Sequence, residues 1–148
     1  MSAINKALKK CEKLSDEQRI DLFIDSYSNV LNAFDKISGN RSEAYAATLR
    51  VILLSMAADG KFTEKEYALL SALLKNTIDK ELSYSEAKAL VESAGDPSEY
   101  VDVLRNLFVG VANYSDEAAV SFACLIAIVL AIDDDVTYKE KKWMNKIF

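Results

Sequence analysis

Residues 57–66 read AADGKFTEKE, and residues 131–140 read AIDDDVTYKE, at an offset of 74 positions. Each stretch follows an apolar segment. Gly60, or Asp134 in the second copy, can adopt the left-handed conformation that ends a helix. A threonine then precedes a glutamate by three positions, which is the pattern of an N-terminal capping box. The two stretches therefore predict a helix, an acidic turn and a second helix, and this unit occurs twice.

The repeated unit covers residues 41–76 and residues 116–148. Beyond each turn, apolar side chains recur at helical spacing: Leu69, Leu70, Leu73 and Leu74 in the first copy, and Trp143, Met144, Ile147 and Phe148 in the second. We expect each unit to form an antiparallel helical hairpin with one buried face. Two hairpins packed about a pseudo-twofold axis would place the apolar helices 41–58 and 116–132 at the centre.

The rest of the chain also has helical periodicity, and no alternating pattern indicates a strand. Between Ile20 and Ile37, apolar residues recur at spacings of three and four, after a capping box formed by Ser15 and Gln18. Residues 1–40 are therefore interpreted as N-terminal helices. A chain of 148 residues with 4 Gly and 1 Pro suits long helices and short connections. The sequence predicts one all-α domain, 1–148, with seven or eight helices.

Several single residues carry structural predictions. Ser83 and Glu86 form another capping box, which predicts the start of a short helix. Asp96 as N-cap and Pro97 at the first helical position predict the start of the next helix. Trp143 is predicted to lie on the buried face of the last helix, because its neighbours there are apolar. Tyr84, Tyr100 and Tyr114 stand near helix ends, and we assign them no function.

Composition excludes several kinds of partner. The net charge of −5 argues against nucleic acid. Two lysine-rich stretches are interpreted as solvated helix faces: Lys6, Lys9, Lys10 and Lys13, and Lys139, Lys141, Lys142 and Lys146. The apolar run 118–132 is shorter than the roughly 20 residues of a membrane span, so it predicts a core helix. Cys11 and Cys124 suit buried reduced thiols, and the N-terminus has no signal-peptide pattern, so we expect a cytoplasmic protein.

Most catalytic chemistries are excluded as well. The chain has no histidine, so it has no histidine base and no histidine-ligated zinc. Its 4 glycines are too few and too scattered for a phosphate-binding loop. We therefore expect no enzymatic activity. A carboxylate-dependent hydrolase stays open as a minor alternative, and it would require a deep pocket with two or more of the turn acids.

The arrangement resembles the tellurite-resistance TerB-like family. The resemblance is carried by an apolar helix, the pattern Ala-Asp-Gly-x-Phe-Thr-x-x-Glu, a leucine-rich helix and the degenerate second copy near the C-terminus. It covers residues 41–148 and implies an all-helical fold with internal pseudo-symmetry and a role in stress responses. It also implies that acidic turn residues bind divalent cations, which by position implicates Asp59, Glu66, Asp133 and Glu140. The first turn departs from the second at Lys61.

The residues themselves also suggest a cation site. Asp133, Asp134 and Asp135 gather three carboxylates at a helix C-terminus, where negative charge is disfavoured by about 0.3–1 kcal/mol each. Oxygen ligands suit Ca²⁺, Mg²⁺ or Mn²⁺. Against this, the same carboxylates precede a helix N-terminus, nearby lysines can neutralise them, and Glu66 and Glu140 can be engaged in capping boxes. The second turn is not an EF-hand, because it lacks the required glycine and bidentate glutamate.

Two functions follow from these observations. The first is a TerB-like module that binds a divalent cation through Asp59, Glu66, Asp133, Asp134, Asp135 and Glu140. The second is a metal-free adaptor whose exposed helix face binds another protein.

Overall fold

The computed structural model describes residues 3–133 and 136–148, and within them it has eight α-helices and no strand. The helices are α1 (Ala3–Glu12), α2 (Asp16–Ser38), α3 (Arg41–Ala57), α4 (Glu64–Ile78), α5 (Tyr84–Ser93), α6 (Val101–Tyr114), α7 (Asp116–Ala131) and α8 (Tyr138–Ile147), with a short 3₁₀ helix at Pro97–Glu99. The prediction of an all-α fold with seven or eight helices is confirmed. In these ranges no helix is sufficiently long and apolar to cross a membrane.

Capping boxes start four of the helices, and each had been predicted from sequence. At the starts of α2, α4, α5 and α8, the hydroxyl of a serine or threonine accepts a hydrogen bond from the backbone N–H three residues later. The glutamine or glutamate at that later position accepts a hydrogen bond from the backbone N–H of the serine or threonine. Each box satisfies backbone N–H groups that a helix end would otherwise leave without partners. Local sequence therefore determines where these helices begin.

The predicted N-cap at Asp96 and first helical position at Pro97 are confirmed, but the helix that they open is a short 3₁₀ helix and not the start of α6. Asp96 accepts from the backbone N–H of Ser98 at 3.0 Å, but it caps only the 3₁₀ helix. The Pro97 carbonyl accepts from Tyr100 N at 3.3 Å and from Trp143 Nε1 at 2.9 Å. Because these two donors occupy that carbonyl, the α-helical pattern does not continue from Pro97, and α6 begins at Val101 instead.

Helix α7 is the centre of the molecule, as its apolar sequence predicts. Every residue from Phe122 to Ala131 is buried, and α1, α2, α3 and α6 pack around this helix. The Phe122 ring lies among aromatic rings of α2, α6 and the C-terminus, with centroid distances of 6.4 Å to Phe34, 5.5 Å to Phe108 and 6.3 Å to Phe148. Cys124 is also buried and forms no disulfide. Burying a whole apolar helix removes a large apolar area from water, and this stabilises the fold.

The expected antiparallel hairpins are wrong. Helices α3 and α7 pack against each other, whereas α4 packs on α2 and α5, and α8 packs on α6. Neither α4 nor α8 packs along the helix that precedes its turn. The reason is that different neighbours bury the two apolar faces of each unit. The two helices therefore diverge from the acidic turn, which becomes a corner of the fold.

We predict opposite effects for alanine at two glycines. Gly95 has φ +103°, and an added Cβ would lie 2.7 Å from Tyr100 Cε2, so Gly95→Ala is expected to destabilise by at least the roughly 1–2 kcal/mol of a left-handed residue. Gly110 lies within α6 with nothing within 4 Å, so Gly110→Ala is expected to stabilise by about 0.5–1 kcal/mol. Urea unfolding of both variants measures this. Shifts in the same direction would contradict the backbone assignment.

Candidate functional site

The first acidic turn has the geometry that its sequence predicts. Gly60 adopts φ +79°, the left-handed conformation. Asp59 Oδ1 accepts from the backbone N–H of Lys61 at 2.9 Å, which closes a local turn. Thr63 then caps α4, and Glu66 Oε1 accepts from Thr63 N at 3.0 Å. Local hydrogen bonds therefore hold the side chains of both Asp59 and Glu66 in place within this turn.

Tyr84, at the start of α5, contacts two aromatic rings near this turn, with centroid distances of 5.4 Å to Phe62 and 5.6 Å to Tyr67. The Tyr84 hydroxyl also donates to the Phe62 carbonyl. Tyr84, to which the sequence assigned no function, therefore ties α5 to the first turn.

The second turn repeats the capping geometry. Thr137 caps α8 and accepts from the backbone N–H of Glu140 at 3.1 Å, while Glu140 Oε1 accepts from Thr137 N at 2.9 Å. Asp133 ends the described part of the preceding segment and is exposed. Asp134 and Asp135 lie outside the described residues, so their role as ligands stays a prediction.

The two turns meet in the folded chain. The Thr63 hydroxyl donates to the Asp133 carboxylate, at 3.0 Å to Oδ1 and 3.2 Å to Oδ2, across 70 residues of sequence. Asp59 and Asp133 each act electrostatically on both Glu66 and Glu140. The fold thus brings together four of the six predicted ligands, two from each turn.

The shared surroundings change how the two glutamates ionise. Glu66 is only 4% exposed, and burial is the main cause that raises its pKa from 4.5 to about 8. The carboxylates of Asp133 and Asp59 raise the pKa further, while the hydrogen bonds with Thr63 oppose the shift. Burial also raises the pKa of Glu140, with smaller contributions from the same two aspartates. Negative charge at this junction is therefore unfavourable, and Glu66 holds its proton at neutral pH.

One buried charged residue beside the second turn, Arg19, is not among the residues predicted from sequence. Arg19 is 6% exposed, and its Nε donates to the Cys11 carbonyl at 3.1 Å while its Nη1 donates to the Ala131 carbonyl at 3.4 Å. Its guanidinium thus lies at the C-terminus of α7, where a cation is favoured. A signal was present, because Arg19 precedes the buried Phe23 by one helical turn and so shares its inward face.

The described carboxylates do not by themselves complete a metal site. Across 3–133 and 136–148, no three His, Cys, Asp or Glu side chains form a group that could hold a metal ion. Glu66 and Glu140 each use one oxygen in a capping box. A cation at this junction would therefore need further oxygen ligands, for which Asp134 and Asp135 are the sequence candidates.

A groove of about 560 Å³ opens beside the first turn. It is lined by the end of α3 and the first turn, by the end of α5 and the segment that follows it, and by α8. Trp143 lines it and is 5% exposed, with its Nε1 bound to the Pro97 carbonyl, so its predicted burial is confirmed. The groove lining includes none of the four predicted ligands that the structure describes, so it is a feature distinct from the junction of the turns.

Comparisons with family models, with curated proteins and with solved structures each find no match to the chain. The fold alone does not specify an activity, since one fold hosts many functions. A function for this chain depends on particular sites, and the junction of the two turns and the groove beside it are the candidates.

Proposed function

We propose that the chain is a non-enzymatic, TerB-like helical module of the stress-response type that binds a divalent cation where its two acidic turns meet. The observation that carries the proposal is the bond from Thr63 to Asp133, because it joins the two turns that the sequence pattern had paired. A role in stress responses and a cytoplasmic location come from the resemblance and from the cysteine content, and they remain part of the proposal.

Helix packing supports an internal duplication that is larger than the one predicted. The contact of α1 with α7 corresponds to that of α5 with α3, and the contacts of α2 with α3 and α4 correspond to those of α6 with α7 and α8. When the two halves are exchanged, α3 and α7 change places, so the contact between them is its own equivalent. Two contacts break this match, because α2 packs on α7 and α4 packs on α5 without comparable equivalents between α6 and α3 or between α8 and α1 among the described helices. We infer that α1–α4 and α5–α8 are two divergent copies of one four-helix unit, related by an approximate pseudo-twofold axis near the turns.

Electrostatics supports a cation at that axis. Two aspartates act on two buried glutamates, and every one of these interactions is repulsive when the groups are ionised. A divalent cation would turn the repulsion into attraction, and hard cations prefer carboxylate oxygens. Asp134 and Asp135 would complete the ligand set. Lys61 and Arg19 contribute positive charge near the two turns, so we expect a weak site.

The test is a titration of Ca²⁺, Mg²⁺ and Mn²⁺ into the wild type and into Asp59→Asn/Asp133→Asn, followed by calorimetry and thermal unfolding. Asparagine keeps an acceptor oxygen for Thr63 and removes the charge. At a free cation concentration of 100 times Kd, the wild type should gain about 2.7 kcal/mol of stability. For a chain of this size that corresponds to a rise in Tm of roughly 5–10 °C. The double variant should gain nothing.

The matched control is Asp21→Asn/Asp25→Asn, which removes the same charge from exposed positions of α2. It should respond to the cation like the wild type. Equal stabilisation of all three proteins would mean non-specific screening and would reject the site. No binding heat at millimolar cation would also reject it and would favour the metal-free adaptor.

A further inference from the structure

One wall of the 560 Å³ groove is basic, although the chain as a whole is acidic. Lys139, Lys142 and Lys146 line it at positions i, i+3 and i+7 of α8. Residues at this spacing share one face of a helix, and these three span about 10 Å along its axis. The three ammonium groups are therefore spaced to face side chains on about two turns of a second helix.

The ammonium groups of this row have no strong partners. None of the three forms an ion pair with a residue in the described part of the chain. Lys139 acts weakly on Asp96, whose pKa is lowered mainly by its bonds with Ser98. Lys142 and Lys146 are exposed, and no carboxylate among residues 3–133 and 136–148 pairs with them. Their charge is therefore available to a ligand.

The groove is also lined by apolar and acidic residues. Ala57, Ala58, Pro97 and Trp143 supply the apolar surface, called the floor here, while Glu92 and Asp96 supply the acidic surface, called the acidic wall. A ligand that fits must place negative charge along α8 and an apolar group on the floor. A uniform polyanion such as nucleic acid satisfies only the first condition, and it would bring charge against the acidic wall.

We propose that this groove docks an acidic amphipathic helix of a partner protein, with carboxylates at i, i+3 or i+4, and i+7 facing the lysine row and an apolar side chain against the groove floor. Helix-in-groove recognition uses anchors at this spacing. The charged contacts lie at the rim, where they contribute mainly to the association rate and to partner selection, while the apolar anchor contributes to lifetime. This inference does not depend on cation binding at the turns.

The test uses a synthetic helical peptide with Glu at positions 1, 4 and 8 and Leu at position 5, and a matched peptide in which Gln replaces each Glu. Trp143 is the single tryptophan of the chain and lines the groove, so its fluorescence reports occupancy directly. We expect saturable binding of the acidic peptide that weakens as salt is raised. The Gln peptide should bind at least tenfold more weakly.

Charge reversal locates the site. Lys142→Glu/Lys146→Glu should weaken acidic-peptide binding at least tenfold, whereas Lys142→Arg/Lys146→Arg should retain it. The matched control is Lys6→Glu/Lys9→Glu on α1, which changes the net charge equally and should bind like the wild type. Far-UV circular dichroism checks that each variant is folded.

Four results would overturn the proposal. The first is no binding of the acidic peptide at concentrations up to roughly 1 mM, and the second is that the α1 control loses peptide binding as much as the α8 variant does. The third is a change in Trp143 fluorescence with an oligothymidine equal to that with the acidic peptide, and the fourth is a change in this fluorescence with protein concentration alone. The third would identify a general polyanion site, and the fourth would identify contact between two copies of this chain.

Discussion

Glu66→Gln will stabilise the folded chain at pH 8. In the wild type, the folded state keeps a proton on Glu66 up to about pH 8, whereas the unfolded state loses it near pH 4.5. Folding is thus linked to proton uptake between these values, and stability falls as pH rises through this window. Glutamine carries no charge at any pH, so it removes a cost on the order of 4 kcal/mol at pH 8.

Glutamine is a conservative choice at this position because it also closes a capping box. The chain has its own example, in which Gln18 returns the bond to Ser15 at 2.9 Å. Urea unfolding from pH 5 to pH 8, with a chelator present, should give a flatter stability profile for the variant. A residual slope is expected from Glu140, whose pKa is also raised by burial.

The matched control is Glu86→Gln in the capping box of α5. Glu86 is exposed, and its hydrogen bonds with Ser83 lower its pKa, so its negative charge is favourable. The same substitution should therefore weaken the fold slightly at neutral pH, with the opposite sign. If Glu66→Gln proved less stable than the wild type at pH 8, burial would not be the dominant effect on Glu66.

Arg19→Met will destabilise the fold by roughly 3 kcal/mol, because buried acceptors that lose their donor cost about 1–3 kcal/mol each. The guanidinium donates hydrogen bonds to the carbonyls of Cys11 and Ala131, at the ends of α1 and α7. Methionine fills a similar volume but donates no hydrogen bond. The variant also leaves the acidic second turn without its buried cation, so cation affinity at the junction should rise.

The comparison for this substitution is Arg41→Met. Arg41 forms an ion pair with Asp35 at 3.2 Å, but its side chain is largely exposed. Exposed pairs contribute little, so we expect a change within about 0.5 kcal/mol. Chemical denaturation of both variants measures the difference. Equal, small effects would show that the buried carbonyls find other donors and that Arg19 is not a structural bridge.

The sequence predicted the helical class, the four capping boxes, the central burial of α7 and the conformation of Gly60. These features depend on hydrogen bonds and periodicity within a few residues, and a short stretch contains all the information they need. It did not predict which helices pack together. The apolar pattern includes Ile37, which is 50% exposed in the fold, and it omits Arg19, which is buried.

Two capping boxes show that the local sequence predicts hydrogen bonds but not the pKa of the glutamate that makes them. Thr63 with Glu66 and Ser83 with Glu86 have the same pattern and nearly the same hydrogen bonds. The sequence by itself determined both. Only the tertiary structure raised the pKa of Glu66 and left that of Glu86 lowered, because neighbouring helices and the opposite turn exclude water from the first and not from the second. Hydrogen bonding is encoded locally, whereas desolvation depends on everything packed around the group.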